Sequence, residues 1–241
     1  MQGLQDKRVW VWGGTSGIGL ATARALATAG ARLIVAGRSE ERLRQALGAL
    51  PDGTIGESVD AADPGAIGEA YRRNGVFDHL VVSIGGTSAL GTYRSMTEDA
   101  LRRTIEGKFW QFQRVSLAAL PHLDPQGSIT WVTGAAARAA IPGMAAMAAG
   151  NGALHAMVGP VARDLAPIRV NAVSPGFVDT PYWERALDAE ARSRTYRAMA
   201  DAVPVKRVGT PDDIAAAVAL CVTNGFMTGA IVDVDGGRRL V

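Results

Sequence analysis

The chain has 241 residues, enough for one large α/β domain. Its 48% hydrophobic and 20% charged content is that of an ordinary water-soluble globule, and a net charge of +2 gives no argument for nucleic acid or an anionic membrane as partner. Cys221 is the single cysteine, so internal disulfides are excluded, and the opening MQGLQDKR is not an apolar leader; a cytoplasmic setting is expected, with no membrane span and no metal site.

Apolar strand-like runs alternate with helical patterns. Strands are predicted at 8–12, 32–36, 55–59, 79–84, 128–133, 168–174 and 230–234. Helices are predicted near 17–29, 39–49, 64–73, 97–120, 145–165, 183–200 and 211–222. This alternation implies right-handed βαβ units and a doubly wound, Rossmann-type parallel sheet of about seven strands in a single α/β domain. Ligands of such sheets bind beyond the carboxyl ends of the strands, so the residues just after each strand are the ones to inspect.

The first strand, Val9 to Trp12, runs into Gly13, Gly17 and Gly19 at spacing G-x-x-x-G-x-G, followed at once by a helical pattern. Missing side chains let a pyrophosphate approach the backbone, and the helix N-terminus offers unpaired N–H groups. Thr15, Ser16 and Ile18 fill the same turn. After the second strand comes Gly37-Arg38-Ser39. An acid here would bind the ribose hydroxyls of NAD, and there is none; Arg38 can fork onto a 2′-phosphate, which favours NADP(H) over NAD(H). Ser39 either adds a hydrogen bond or caps the next helix. Asp60 either accepts from an adenine amino group or holds an ordinary turn. Gly85-Gly86 ends the fourth strand with bare backbone. Pro175, Gly176, Val178 and Thr180 follow the sixth, where a Pro-Gly turn can meet a nicotinamide carboxamide. The stretch 181–202, rich in charge and aromatics, reads as a helical lid, with Tyr182 and Trp183 as pocket-wall candidates.

GGTSGIG at 13–19, Asp60, PIRVNAVSPGFVDT at 167–180 and MTGAIVDVDGG at 227–237 together resemble the short-chain dehydrogenase/reductase family over essentially the whole chain. The resemblance implies a nicotinamide-dependent oxidoreductase acting on a small molecule and assembling as a homodimer or homotetramer. It assigns Gly13, Gly17, Gly19, Arg38, Asp60, Pro175, Gly176, Val178 and Thr180 to the cofactor.

The same comparison exposes departures where the chemistry should be. The family's catalytic Tyr and Lys fall on Met147 and Asn151, its Ser on Gly134 and its Asn on Thr104. The Thr that opens the family's glycine motif is Trp12, and its NNAG is Val82-Ser83-Ile84-Gly85. Met147 has no exchangeable proton and Gly134 no side-chain donor. Three functions remain open: an oxidoreductase with a rearranged proton donor, a non-catalytic NADP(H)-binding sensor or partner, and a non-redox lyase or isomerase. Thr133, Lys108, His155 and Arg138 are the possible substitutes. Lys108 reads first as a surface or interface lysine, His155 as an interface or core histidine and Arg138 as a solvated loop charge. His79 and His122 read as lying at element ends, away from the cleft.

Overall fold

The computed structural model describes residues 3–85 and 90–241, without the side chains of 185 and 186. Seven strands form one wholly parallel sheet in the order β3-β2-β1-β4-β5-β6-β7. They are β1 (Arg8–Trp12), β2 (Arg32–Gly37), β3 (Ile55–Ser58), β4 (Phe77–Val82), β5 (Leu123–Val132), β6 (Arg169–Pro175) and β7 (Ile231–Val234). Nine α-helices connect them among the described residues: α1 (Gly17–Thr28), α2 (Glu40–Leu47), α3 (Pro64–Asn74), α4 (Glu98–Ile105), α5 (Gln111–Ala119), α6 (Ala145–Asp164), α7 (Pro181–Ala186), α8 (Ala189–Asp201) and α9 (Pro211–Thr223).

The central strands are apolar throughout because both faces are covered. Alternate residues of β1 face opposite ways. Trp10 and Trp12 join Tyr71, Phe77, Phe112 and Trp131 under α3, α5 and α6. Val9 and Val11 join Val35, Val81, Val173 and Val218 under α1 and α9. Trp12 Nε1 donates to Tyr71 Oη at 2.8 Å, and Tyr71 Oη donates on to Val115 O at 3.0 Å. The chain leaves β1 toward β2 and β3, then returns to add β4 on its other side. That reversal opens a crevice beyond the C-terminal ends of β1 and β4.

Four elements differ from the sequence reading. β5 starts at Leu123, earlier than its apolar run, because Asp124-Pro125-Gln126-Gly127 continues as extended chain. β4 likewise starts at Phe77, which places His79 inside a strand, bonded to Ser128 Oγ at 2.9 Å, rather than at an element end. The helix expected over 97–120 is α4, then a π-helical turn Glu106–Trp110, then α5. The lid expected as one helix is two, because Leu187 is extended and the Asp188 carboxylate caps a fresh start by accepting from Ala191 N at 2.7 Å.

Candidate active site

Beyond β1 the backbone turns too tightly for side chains. A Cβ at Gly13 would lie 2.2 Å from Ser83 O, and one at Gly19 would lie 2.1 Å from Gly13 O. Only glycine lets strand, turn and helix close on one another here. The Ser16 side chain makes no capping bond to α1, whereas Ser39, Asp63, Thr97, Asp188 and Thr210 each cap their helix through a side chain. The first-turn amides of α1 are thus left for an anion.

These residues open onto a cavity of about 680 Å³. Gly13, Thr15, Ser16, Gly17, Ile18 and Gly19 line it, as do Arg38, Ser39, Asp60, Gly85 and Thr180. All were expected from sequence. Ser39 Oγ also accepts from Arg42 N at 3.4 Å, so it caps α2 while facing the cavity. Asp60 Oδ1 accepts from Ala62 N at 2.9 Å, which gives it a turn role as well. Arg42, in the first turn of α2, also lines the cavity near Arg38, and neither guanidinium has an ion pair among the described residues. Sequence reasoning missed Arg42; the available signal was a second arginine in the first turn of the helix that follows Arg38. Tyr182 forms part of the wall. Trp183 does not; it packs on Phe177 at 4.6 Å and donates Nε1–H to Val178 O at 3.2 Å.

Pro175, Gly176 and Val178 are not on that wall. Gly176 N donates to Val234 O at 3.0 Å, and a Cβ on Gly176 would meet Asp235 Cα at 2.7 Å. Val178 is buried and bridges to Gly209. Gly86 lies outside the described residues.

The family's proton-handling positions give the following. Thr104 is buried, and its Oγ1 donates to Ala100 O at 2.9 Å. Met147 is half-buried. Asn151 is fully buried, with neither amide atom hydrogen-bonded. A Cβ at Gly134 would come within 2.9 Å of Asn151 Nδ2, so the glycine and the asparagine fit as a pair. Thr133 turns away from residue 134, as strand alternation requires: its Oγ1 donates to Val173 O at 3.0 Å. His155 Nε2 lies 2.8 Å from the same hydroxyl and so donates to it, which leaves Nδ1 unpartnered. Burial first, then Arg138, pull the His155 pKa down. Arg138 is not a free loop charge, since it pairs with Asp233 at 2.8 Å.

Lys108 corrects the sequence reading outright. It is not on the surface but 5% exposed, on the π-helical turn, and it lines the same cavity. Nζ donates to Val132 O at 3.1 Å and Thr133 O at 3.4 Å, and sits 4.5 Å from the centre of the Phe112 ring. Burial lowers its pKa to about 7.

A family model described as enoyl-(acyl carrier protein) reductase matches residues 13–239. The chain belongs to the short-chain dehydrogenase/reductase family. An uncharacterised oxidoreductase of Methylorubrum extorquens is 31% identical over 99% of this chain and 100% of its own length. The 3-oxoacyl-[acyl-carrier-protein] reductase MabA of Mycobacterium tuberculosis is 31% identical over 98% and 94%. A crystal structure of a small-chain dehydrogenase in complex with NADPH superposes with TM-score 0.86, at 31% identity, covering 98% of this chain and 100% of that one. The chain is thus an oxidoreductase of short-chain dehydrogenase type. No described helix is long and apolar enough to cross a membrane.

Proposed function

We propose that this protein is an NADP(H)-dependent oxidoreductase acting on a small carbonyl or alcohol, with a proton-handling site unlike the family's Ser-Tyr-Lys set. The carrying observation is the glycine cradle, in which no Cβ fits at Gly13 or Gly19, opening onto the same cavity as two arginines that have no ion pair among the described residues. The pyrophosphate would lie on Gly13–Gly19 and the α1 amides, and Arg38 and Arg42 would hold a 2′-phosphate. Asp60 and Thr180 would flank the adenine and nicotinamide ends. Pro175, Gly176 and Val178, carried over from the family, would fix the loop after β6. The NADPH-bound neighbour supports this choice of cofactor.

When bound, the cofactor supplies or accepts a hydride. The chain itself must exclude water and place a proton on the developing alkoxide, a task for which Gly134 and Met147 offer nothing. The helical segment 181–202 is read as a lid over the cleft, and the assembly as a homodimer or homotetramer. A non-catalytic NADP(H)-binding role is the second reading, favoured by the sealed, solvent-free setting of Asn151. Fluorescence titration with NADPH and NADH, followed by NADPH consumption across a panel of small carbonyls, separates the two. Binding without turnover selects the second reading, and no binding of either nucleotide removes both.

A further inference from the structure

One ionisable group enters the cavity from a position where the family carries no catalytic residue. Lys108 sits on the π-helical turn between α4 and α5, a geometry that is rare overall and frequent at functional sites. Its stem packs against Gly150: a Cβ there would lie 3.4 Å from Lys108 Cβ and Cγ, an ordinary van der Waals contact. Its Nζ rests on the carbonyls of Val132 and Thr133, at the C-terminal end of β5 and immediately before Gly134. Those two bonds use two of the three N–H donors of an ammonium, and no described side chain takes the third.

We propose that Lys108 is the acid–base group of this site, giving a proton from Nζ to the oxygen of a carbonyl substrate and taking it back in the reverse direction. This role rests on the reading of the chain as an NADP(H)-dependent oxidoreductase. In reduction, the carbonyl carbon receives its hydride from the bound cofactor. The nascent alkoxide uses a lone pair to form an O–H bond as an Nζ–H bond breaks. Lys108 is left as a neutral amine, and water entering the cleft returns its proton.

The surroundings suit the task. A buried cation without a carboxylate costs several kcal/mol that packing does not return, so a structural role gives little reason for lysine over methionine. From β5 only the carbonyls of Val132 and Thr133 face the amine, and α5 presents Phe112 and Gln111. From α6 the titratable neighbour is His155, behind Thr133; beyond it Arg138 is neutralised by Asp233. On its own turn, Glu106 is engaged by Arg114. No described carboxylate therefore holds Lys108 charged, and burial brings its pKa to about 7, where one group serves as both acid and base.

The chain has only three lysines, Lys7, Lys108 and Lys206, so protein labelled with 13C at the lysine ε-carbon gives three resolvable signals. The signal lost in Lys108→Met should titrate with a midpoint near 7, while the Lys7 signal, held up by its bond to Asp78, titrates above the ordinary lysine value. NADPH should still bind Lys108→Met and Lys108→Arg. With an α-diketone as substrate, wild-type reduction should fall as pH rises through 7. Lys108→Met should lose that pH-dependent limb and run ~10²–10⁴-fold slower. Lys108→Arg, too weak an acid to replace the lysine, should be comparably slow. A Lys108 signal that stays charged through pH 9, or a Lys108→Met profile like the wild type's, overturns the proposal. Bound NADPH that the wild type never oxidises overturns the parent oxidoreductase reading, and this role with it. Failure of NADPH to bind wild-type protein overturns the parent reading as well.

Discussion

Arg38, just before α2, and Arg42, in its first turn, face the cavity with no counter-ion among the described residues, which is how a site awaiting a dianion should look. Removing either should cost ~1.5–3 kcal/mol of NADPH affinity, about 10–150-fold, and leave NADH binding nearly unchanged. Equal losses for both nucleotides in a fluorescence titration would show that the arginines do not read the 2′-phosphate. His79 gives a second residue-scale test. Burial, then Arg169, lowers its pKa from 6.5 to about 4. A folded-state pKa below the unfolded one means that the unfolded chain binds the extra proton first. Stability is therefore complete above pH 6.5 and drains away as the pH falls toward 4. The loss should be about 2 kcal/mol by pH 5. His79→Gln should shrink the difference in Tm between pH 7 and pH 5; an unchanged difference would assign acid lability elsewhere. The glycine cradle and Arg38 were legible in the sequence because three glycines between a strand and a helix, and a missing acid after the second strand, are each tied to one job at the phosphates. Lys108 was not. Its place on the stripe 104, 108, 112, 115, 119 marked it as inward-facing, but a lone lysine argues for solvent. Only the cavity resolves the conflict.

At the scale of elements, strands were easier to read than the joints between helices. An apolar run of β1 type has no other home than a sheet covered on both faces, whereas a π-helical turn leaves no period of its own in so short a stretch. The break at Leu187 was hidden by the polarity of the whole segment 181–202. The second of its two helices, α8, is held lightly. No residue of α8 is buried, and Tyr196 Oη donates to Asp179 Oδ1 at 2.6 Å while its ring meets Phe177 edge-on. Tyr196→Phe should free α8, speeding tryptic cleavage after Arg192 or Arg194 several-fold while Tm changes little. Protection equal to the wild type's would show that the ring, not the hydroxyl, anchors the helix. The end of β5 holds another coupled test. Gly134→Ser, Met147→Tyr and Asn151→Lys together would rebuild the family's proton-handling residues. The lysine placed at position 151 would then join Lys108 in one dry corner, and two like charges there disfavour both. The triple change should therefore support carbonyl reduction better in a Lys108→Val background than alone, as measured by kcat. A better triple variant with Lys108 intact would show that the two cations do not meet.

For the whole molecule, the parallel sheet and its reversal beside β1 follow from the alternation of apolar runs and helical patterns, and they place the cavity without reference to any relative. Assembly is written less plainly, because a small-residue helix can equally pack on its own sheet or on a second copy. In α6 the structure divides the two uses. Ala146, Gly150, Leu154, Val158 and Ala162 face inward. Ala145, Ala149, Ala156, Gly159 and Pro160 are exposed, and a Cβ at Gly152 or Gly159 would touch nothing within 4 Å. That outer stripe recurs at helical spacing and is nearly flat, so a symmetry-related helix could approach closely. On α5, Leu117 is 62% exposed, and Trp110 at the end of the π-helical turn is 47% exposed, one heptad away on the same face. Two-fold pairing through these helices would bury both and join apolar area that is costly to leave in water. The protein should therefore run as a dimer or tetramer by light scattering at micromolar concentration. Ala149→Glu combined with Ala156→Glu should halve that mass or more by placing like charges across the axis, and Leu117→Glu should weaken assembly in the same direction. A monomer mass for the wild type, or an unchanged mass in all three substitutions, would put the apolar stripe to some other use.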